Sequence, residues 1–115
     1  MTGNNSTGKT TLTPNVILTI ARMAALEVEG VRSMASIRPG VPNLRARGRD
    51  GVNLQIEDDN VFLNVYLVLD GDNNIQDVSR KVQQQVSRAI EEMTGLEVSQ
   101  VNIHIEDIEY KNDEA

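Results

Sequence analysis

The segment VFLNVYLVLD, residues 61 to 70, is apolar at nearly every position. A membrane-spanning helix needs about 20 such residues, whereas a shorter run rich in Val, Leu, Phe and Tyr reads as a β-strand. The run is apolar on both faces, at Val61 to Leu63 and again at Val65 to Leu69. Such a strand asks for a central place in a sheet with cover on each side. Helices are expected to provide one cover and a partner molecule the other.

The flanking sequence supplies the neighbours of that strand. Val52, Leu54 and Ile56 alternate with polar residues, and EDDN at 57 to 60 offers turn residues, so the two runs form an antiparallel hairpin. Upstream, Thr13 provides an N-cap hydroxyl and Pro14 the favoured first helical position. Val16, Ile17, Ile20, Ala21, Ala24, Ala25 and Val28 then recur at helical spacing, up to a stop at Gly30. The small residues Ala21, Ala24 and Ala25 let this helix approach a sheet closely.

Downstream, DGDNN at 70 to 74 supplies a turn and caps. Ile75, Val78, Val82, Val86, Ala89, Ile90 and Met93 trace the apolar stripe of a second helix, which Gly95 ends. Val98 to Tyr110 alternates at Val101, Ile103 and Ile105 as a half-buried strand, and Lys9 to Leu12 reads as a short first strand. Val31 to Asp50, with Pro39, Gly40, Pro42 and Gly48, reads as one long connection. The sum is an α+β two-layer sandwich, β-α-β-β-α-β, or α-β-β-α-β without the first strand. Both helices lie on one face of a small, mainly antiparallel sheet. One domain covers residues 9–110, between a disordered polar tail at 1–8 and a second tail at 111–115.

Composition narrows the chemistry. The chain has no cysteine, which removes disulfides, thiolate zinc sites and cysteine nucleophiles. No secretory or membrane-spanning stretch is present, so a cytoplasmic location is expected. The net charge of −6 opposes bulk attraction to nucleic acid or anionic lipid. That average hides an asymmetry, because Arg32, Arg38, Arg45, Arg47 and Arg49 fall in a segment without Asp or Glu. The segment carries +5 and the remainder, with six basic against seventeen acidic residues, −11.

Three motifs invite stronger readings and each fails on its setting. GNNSTGKT at 3 to 10 fits a phosphate-binding P-loop, but only two residues precede it where a strand must stand, and Pro14 follows closely where a helix must already be running. GRDG at 48 to 51 matches a nucleic-acid clamp that joins two helices, whereas here it leads into a strand. With Phe62, Tyr66 and Tyr110 as the only aromatics, platforms for stacking bases are scarce, so nucleic acid is an unfavoured partner that is not excluded. DGDNNI at 70 to 75 begins like a calcium loop, yet Ile75 stands where glycine is required and Lys81 where the bidentate glutamate belongs.

The carboxylates of Glu106, Asp107 and Glu109 read as a solvated strand end, with Asp107 and Glu109 on the face opposite Glu106. His104, the single histidine, falls by alternation on the outer sheet face beside Asn102 and Glu106. No catalytic, cofactor or metal site emerges, and none is expected.

The stretches ALEVEGV (25–31), LNVYLVLDGDNNI (63–75) and above all VQQQVSRAIEEMTGLEVSQVNIHIEDI (82–108), with the Gly51–Val52 hairpin start, resemble the alkaline shock protein family. These are general-stress or envelope stress response proteins, mainly of Gram-positive and related bacteria. The resemblance spans roughly residues 9–110, and MTGLEV-x-x-VNI is its most specific part. It implies a small cytoplasmic protein without enzymatic activity; some relatives self-assemble and are recruited to the membrane by a separate anchoring protein, and some are tied to envelope homeostasis. The family has no catalytic residues to transfer, and the arginine-rich segment departs from its commoner pattern.

Two functions follow as expectations. In the first, the protein is an interaction scaffold, a homo-oligomer with a membrane-anchored protein partner, using Phe62, Tyr66, Val68 and His104 on the uncovered sheet face and a free strand edge. In the second, Arg38, Arg45, Arg47 and Arg49 bind an anionic ligand, nucleic acid or lipid headgroups.

Overall fold

Burial alternates without a break along the apolar run, and this divides the molecule into a helical side and an open side. The computed structural model describes residues 11–35, 47–49 and 51–110. Both tails, Arg38, Arg45 and the glycine-rich stretch at 3–10 fall wholly or mainly outside that range. The elements run α1 (Pro14–Leu26), β1 (Val31–Met34), β2 (Arg47–Arg49), β3 (Val52–Glu57), β4 (Asn60–Asp70), α2 (Ile75–Thr94) and β5 (Glu97–Glu109). The class is α+β, as the patterning implies.

β4 is the spine of the sheet. One of its edges pairs antiparallel with β3 along residues 60–65 and then with β1 along 67–69, while its other edge pairs in parallel with β5 over its whole length. β2 extends the sheet beyond β3. Val61, Leu63, Val65, Leu67 and Leu69 of β4 are fully buried and form one core with Ile17, Leu18, Ala21, Ala24 and Ala25 of α1 and Val78, Val82, Val86 and Ile90 of α2. A fully buried side chain of this kind contributes about 1.5–3 kcal/mol. The alanines of α1 are buried, as close packing on the sheet requires.

Several local expectations are revised. Thr11 and Leu12 carry no strand, so no first strand is found among the described residues. The supposed single connection from 31 to 50 contains β1 and β2. Short strands of mixed polarity give little alternation to read, and it is pairing with β4 and β3 that forms them. Thr13 is the N-cap of α1 by backbone position, yet its side chain makes no capping bond. The helix ends at Leu26, before Gly30, which turns the chain at φ +103°. On α2, Val78, Val82, Val86 and Ile90 are buried, but Ile75 and Met93 at its ends are exposed. Asn74 caps that helix through Oδ1, which accepts from the Asp77 N–H, and Gly95 closes it in the left-handed conformation.

Gly51 sits where β1 ends and β3 begins, both on the same edge of β4. Tyr66 joins them: its carbonyl accepts from the Ala35 N–H and its N–H donates to the Gly51 carbonyl, each at 2.8 Å. Gly51 has φ +82°, and a Cβ there would lie 2.6 Å from the Ala35 carbonyl oxygen. Only glycine fits this junction.

Candidate functional site

The face of the sheet turned away from the helices is the candidate site. In β4, Asn60, Phe62, Asn64, Tyr66, Val68 and Asp70 alternate with the core residues and are all half-buried. The register sets Asn53 and Gln55 of β3 beside Asn64 and Phe62, and Gln100, Asn102 and His104 of β5 beside Phe62, Asn64 and Tyr66. Among the described residues no element covers this face. The run is therefore not uniformly greasy on both sides: the outer side carries Phe62, Tyr66 and Val68 spaced by amides.

His104 and Tyr66 stack, with ring centroids 4.5 Å apart and planes inclined by 13°. The imidazole Nε2 lies 2.8 Å from Asn64 Oδ1, which also accepts from Asn102 Nδ2 at 3.3 Å. Gln100 Nε2 in turn donates to Asn102 Oδ1 at 2.9 Å. The amides thus satisfy one another across β4 and β5, so the patch is polar enough to stand in water yet uncharged at its centre. Sequence reasoning placed Phe62, Tyr66, Val68 and His104 together, and they do share this face. It set Asn102 beside His104 but missed Asn64 and Gln100, although the single Asn interrupting VFLNVYLVLD was a visible signal.

Charges lie at the margins. Two irregularities in β5, one between Val98 and Gln100 and one between Ile105 and Asp107, reset its alternation. Asp107 and Glu109 consequently pair with Val68 and Asp70 and share the outer face with His104. Strict alternation had put them on the opposite face. A bulge adds one residue and flips everything after it. Arg32 of β1 gathers this end of the sheet, with Nη1 3.0 Å from Asp70 Oδ1 and Nε 2.8 Å from Glu109 Oε1. All three side chains are about half exposed, so each pair contributes under ~1 kcal/mol.

The edge of β5 is not bare. From α2, Gln83 Nε2 donates to the Val101 carbonyl at 3.0 Å and Glu91 Oε2 accepts from the Val98 N–H at 3.1 Å. Farther on, Asp107 Oδ1 accepts from the Ile108 N–H at 2.8 Å. Capped groups and edge carboxylates are devices that discourage strand addition, so the expected free edge is a poorer docking surface than the outer face.

Of the arginine-rich segment, Arg32 lies at the margin of this patch. β2 pairs Arg47 with Leu54 and Arg49 with Val52, residues of the helix-bearing side of the sheet, while Arg38 and Arg45 lie outside the described residues. α1 starts at Pro14 rather than directly after Lys9, so no helix follows the glycine-rich stretch at once. Among the described residues no group of His, Cys, Asp or Glu is placed to hold a metal ion, and no helix is long and apolar enough to cross a membrane.

The chain is 33% identical to the YqhY protein of Bacillus subtilis over 106 residues, covering 90% of this chain and 78% of that protein. It is 32% identical to the Spy1535 protein of Streptococcus pyogenes over 102 residues, covering 88% and 79%. In three dimensions it resembles MamM-CTD, with a TM-score of 0.54 at 12% identity over 84% of this chain and 100% of that domain. A zinc form of the same domain matches at 0.52 and 14%, covering 83% of this chain and 86% of that one. At such identities the likeness concerns the fold alone. Residues 2–110 match one family throughout, and the chain therefore belongs to the alkaline shock protein 23 family, described as having a cell envelope-related function.

Proposed function

We propose that this protein is a non-enzymatic, cytoplasmic interaction module of the cell envelope, which self-associates through the outer face of its sheet and is brought to the membrane by an anchored protein partner. The observation that carries the reading is the arrangement of Phe62, Tyr66 and Val68, half-buried on the spine strand and surrounded by mutually bonded amides. Protein interfaces share this anatomy: an aromatic centre poor in charge and a polar rim. Arg32, Asp70, Asp107 and Glu109 form such a rim at one end. Because the centre is uncharged, two copies of an acidic chain meet there with little repulsion, whereas the β5 edge would oppose carboxylates to carboxylates.

The test is sedimentation equilibrium of the wild type and Tyr66→Asp across the micromolar range. A carboxylate in the middle of the contact must be desolvated without a partner, so association should fall by at least tenfold. If the wild type is a monomer throughout, or if Tyr66→Asp assembles as well as the wild type, the reading is lost.

A further inference from the structure

The first helix carries a second face that the core does not use. Ile17, Leu18, Ala21, Ala24 and Ala25 point into the sheet. On the opposite side Val16, Met23 and Leu26 are 42%, 54% and 39% exposed. Positions 16, 19, 23 and 26 follow the alternating three- and four-residue steps of a coiled-coil seam, with Thr19 as its one polar member. Arg22 is the only charged residue in the helix. A helix apolar on both sides is built to be covered on both sides, and the contrast with α2, whose exposed face carries Arg80, Lys81, Arg88 and Glu92, is plain.

The ends of α1 indicate what covers it. Its N-terminus has no side-chain cap and no acidic residue in the first turn, while Glu27 and Glu29 stand exposed just past its C-terminus. A helix N-terminus favours nearby negative charge. An antiparallel partner with the same sequence satisfies that requirement twice. We infer that α1 pairs antiparallel with α1 of a second copy about a two-fold axis. Val16 then packs on Leu26 of the second copy and Thr19 on its Met23, which sets Glu27 and Glu29 of each copy beside the uncapped start of the other. The one like-charge approach is Arg22 against its own symmetry mate, an encounter that salt screens.

The contact lies on the helical layer, away from the outer sheet face, and does not depend on association there. A helix of 13 residues offers less than the ~800 Å² per partner of a stable complex, so the pairing is weak alone and gains strength where copies are already concentrated. With an outer-face contact present, two isologous interfaces on opposite layers extend into an open chain of molecules.

Disulfide trapping tests the geometry, since the chain has no cysteine of its own. The double variant Val16→Cys/Leu26→Cys is oxidised at high micromolar concentration, and its peptides are mapped by mass spectrometry. The two positions are about 15 Å apart along one helix, too far to bridge within a molecule. The expected product is an intermolecular bridge joining position 16 to position 26, with yield reduced at least tenfold by adding Met23→Glu. Bridges joining 16 to 16 or 26 to 26, no bridge at all, or a yield indifferent to Met23→Glu would overturn the pairing; so would a foreign helix occupying the stripe, which leaves the chain unbridged. Repeating the trap in the Tyr66→Asp background separates the two interfaces. The 16-to-26 bridge should persist there even if outer-face association is lost or was never present.

Discussion

Tyr66 on β4 and His104 on β5 lie face to face at 4.5 Å between ring centroids, side by side in the parallel ladder that joins the two strands. The stack fixes both rings at the middle of the outer face, and the side-chain Oδ1 of Asn64 holds the imidazole Nε2 at 2.8 Å. Aromatic side chains held in this way cost little further entropy when they enter an interface. In a double-mutant cycle of Tyr66→Ala and His104→Ala, urea unfolding should show a coupling of about 0.5–1 kcal/mol. Additive single effects would mean that the stacking contributes nothing to stability.

Neighbouring residues of β4 should differ sharply in their response to truncation. Leu67 is fully buried and Val68 half-buried on the other side. Leu67→Ala is expected to cost about 2–5 kcal/mol through lost burial and a residual cavity. Val68→Ala should cost under about 1 kcal/mol, as substitutions near the surface do. Equal losses in chemical denaturation would contradict the division of the strand into core and open faces.

Gly51 should tolerate no side chain. A Cβ there would come within 2.6 Å of the Ala35 carbonyl oxygen and 2.9 Å of Met34 Cβ, at a positive φ of +82°. Gly51→Ala is expected to lose roughly 1–3 kcal/mol from backbone strain, with the steric clash adding to it. Hydrogen exchange should accelerate first at the Ala35 and Tyr66 amides, whose bonds meet at this junction. A melting temperature equal to that of the wild type would show that β1 can move aside.

The caps on β5 can be removed without touching the core, since Gln83 and Glu91 are exposed residues of α2. Gln83→Ala and Glu91→Ala should each cost about 1 kcal/mol, the ordinary net value of a hydrogen bond. Together they free the Val101 carbonyl and the Val98 N–H at the sheet edge. The double variant is therefore expected to form high-mass aggregate faster than the wild type on prolonged incubation, followed by light scattering. Unchanged aggregation would mean that the edge is protected by its carboxylates alone.

Much of this architecture was legible in residues 52 to 110. Val52, Leu54 and Ile56 followed by EDDN specified the hairpin, and the spacing of Val78, Val82, Val86 and Ile90 between Asn74 and Gly95 specified α2, because period and caps are local properties. The outer-face cluster was legible for the same reason, since alternation in β4 separates Phe62, Tyr66 and Val68 from the buried residues once the strand is recognised.

Local pattern was enough to set the α+β class, the two helices and the spine strand, because hydrophobic period, turn residues and caps act over a few neighbouring positions. Long-range pairing was needed to make strands of residues 31–34 and 47–49, to carry Asp107 and Glu109 through bulges in β5 to the face of His104, and to seal an edge with Gln83 and Glu91. Each of these depends on groups of one element finding partners in another, and periodicity within a single element carries no record of such partners.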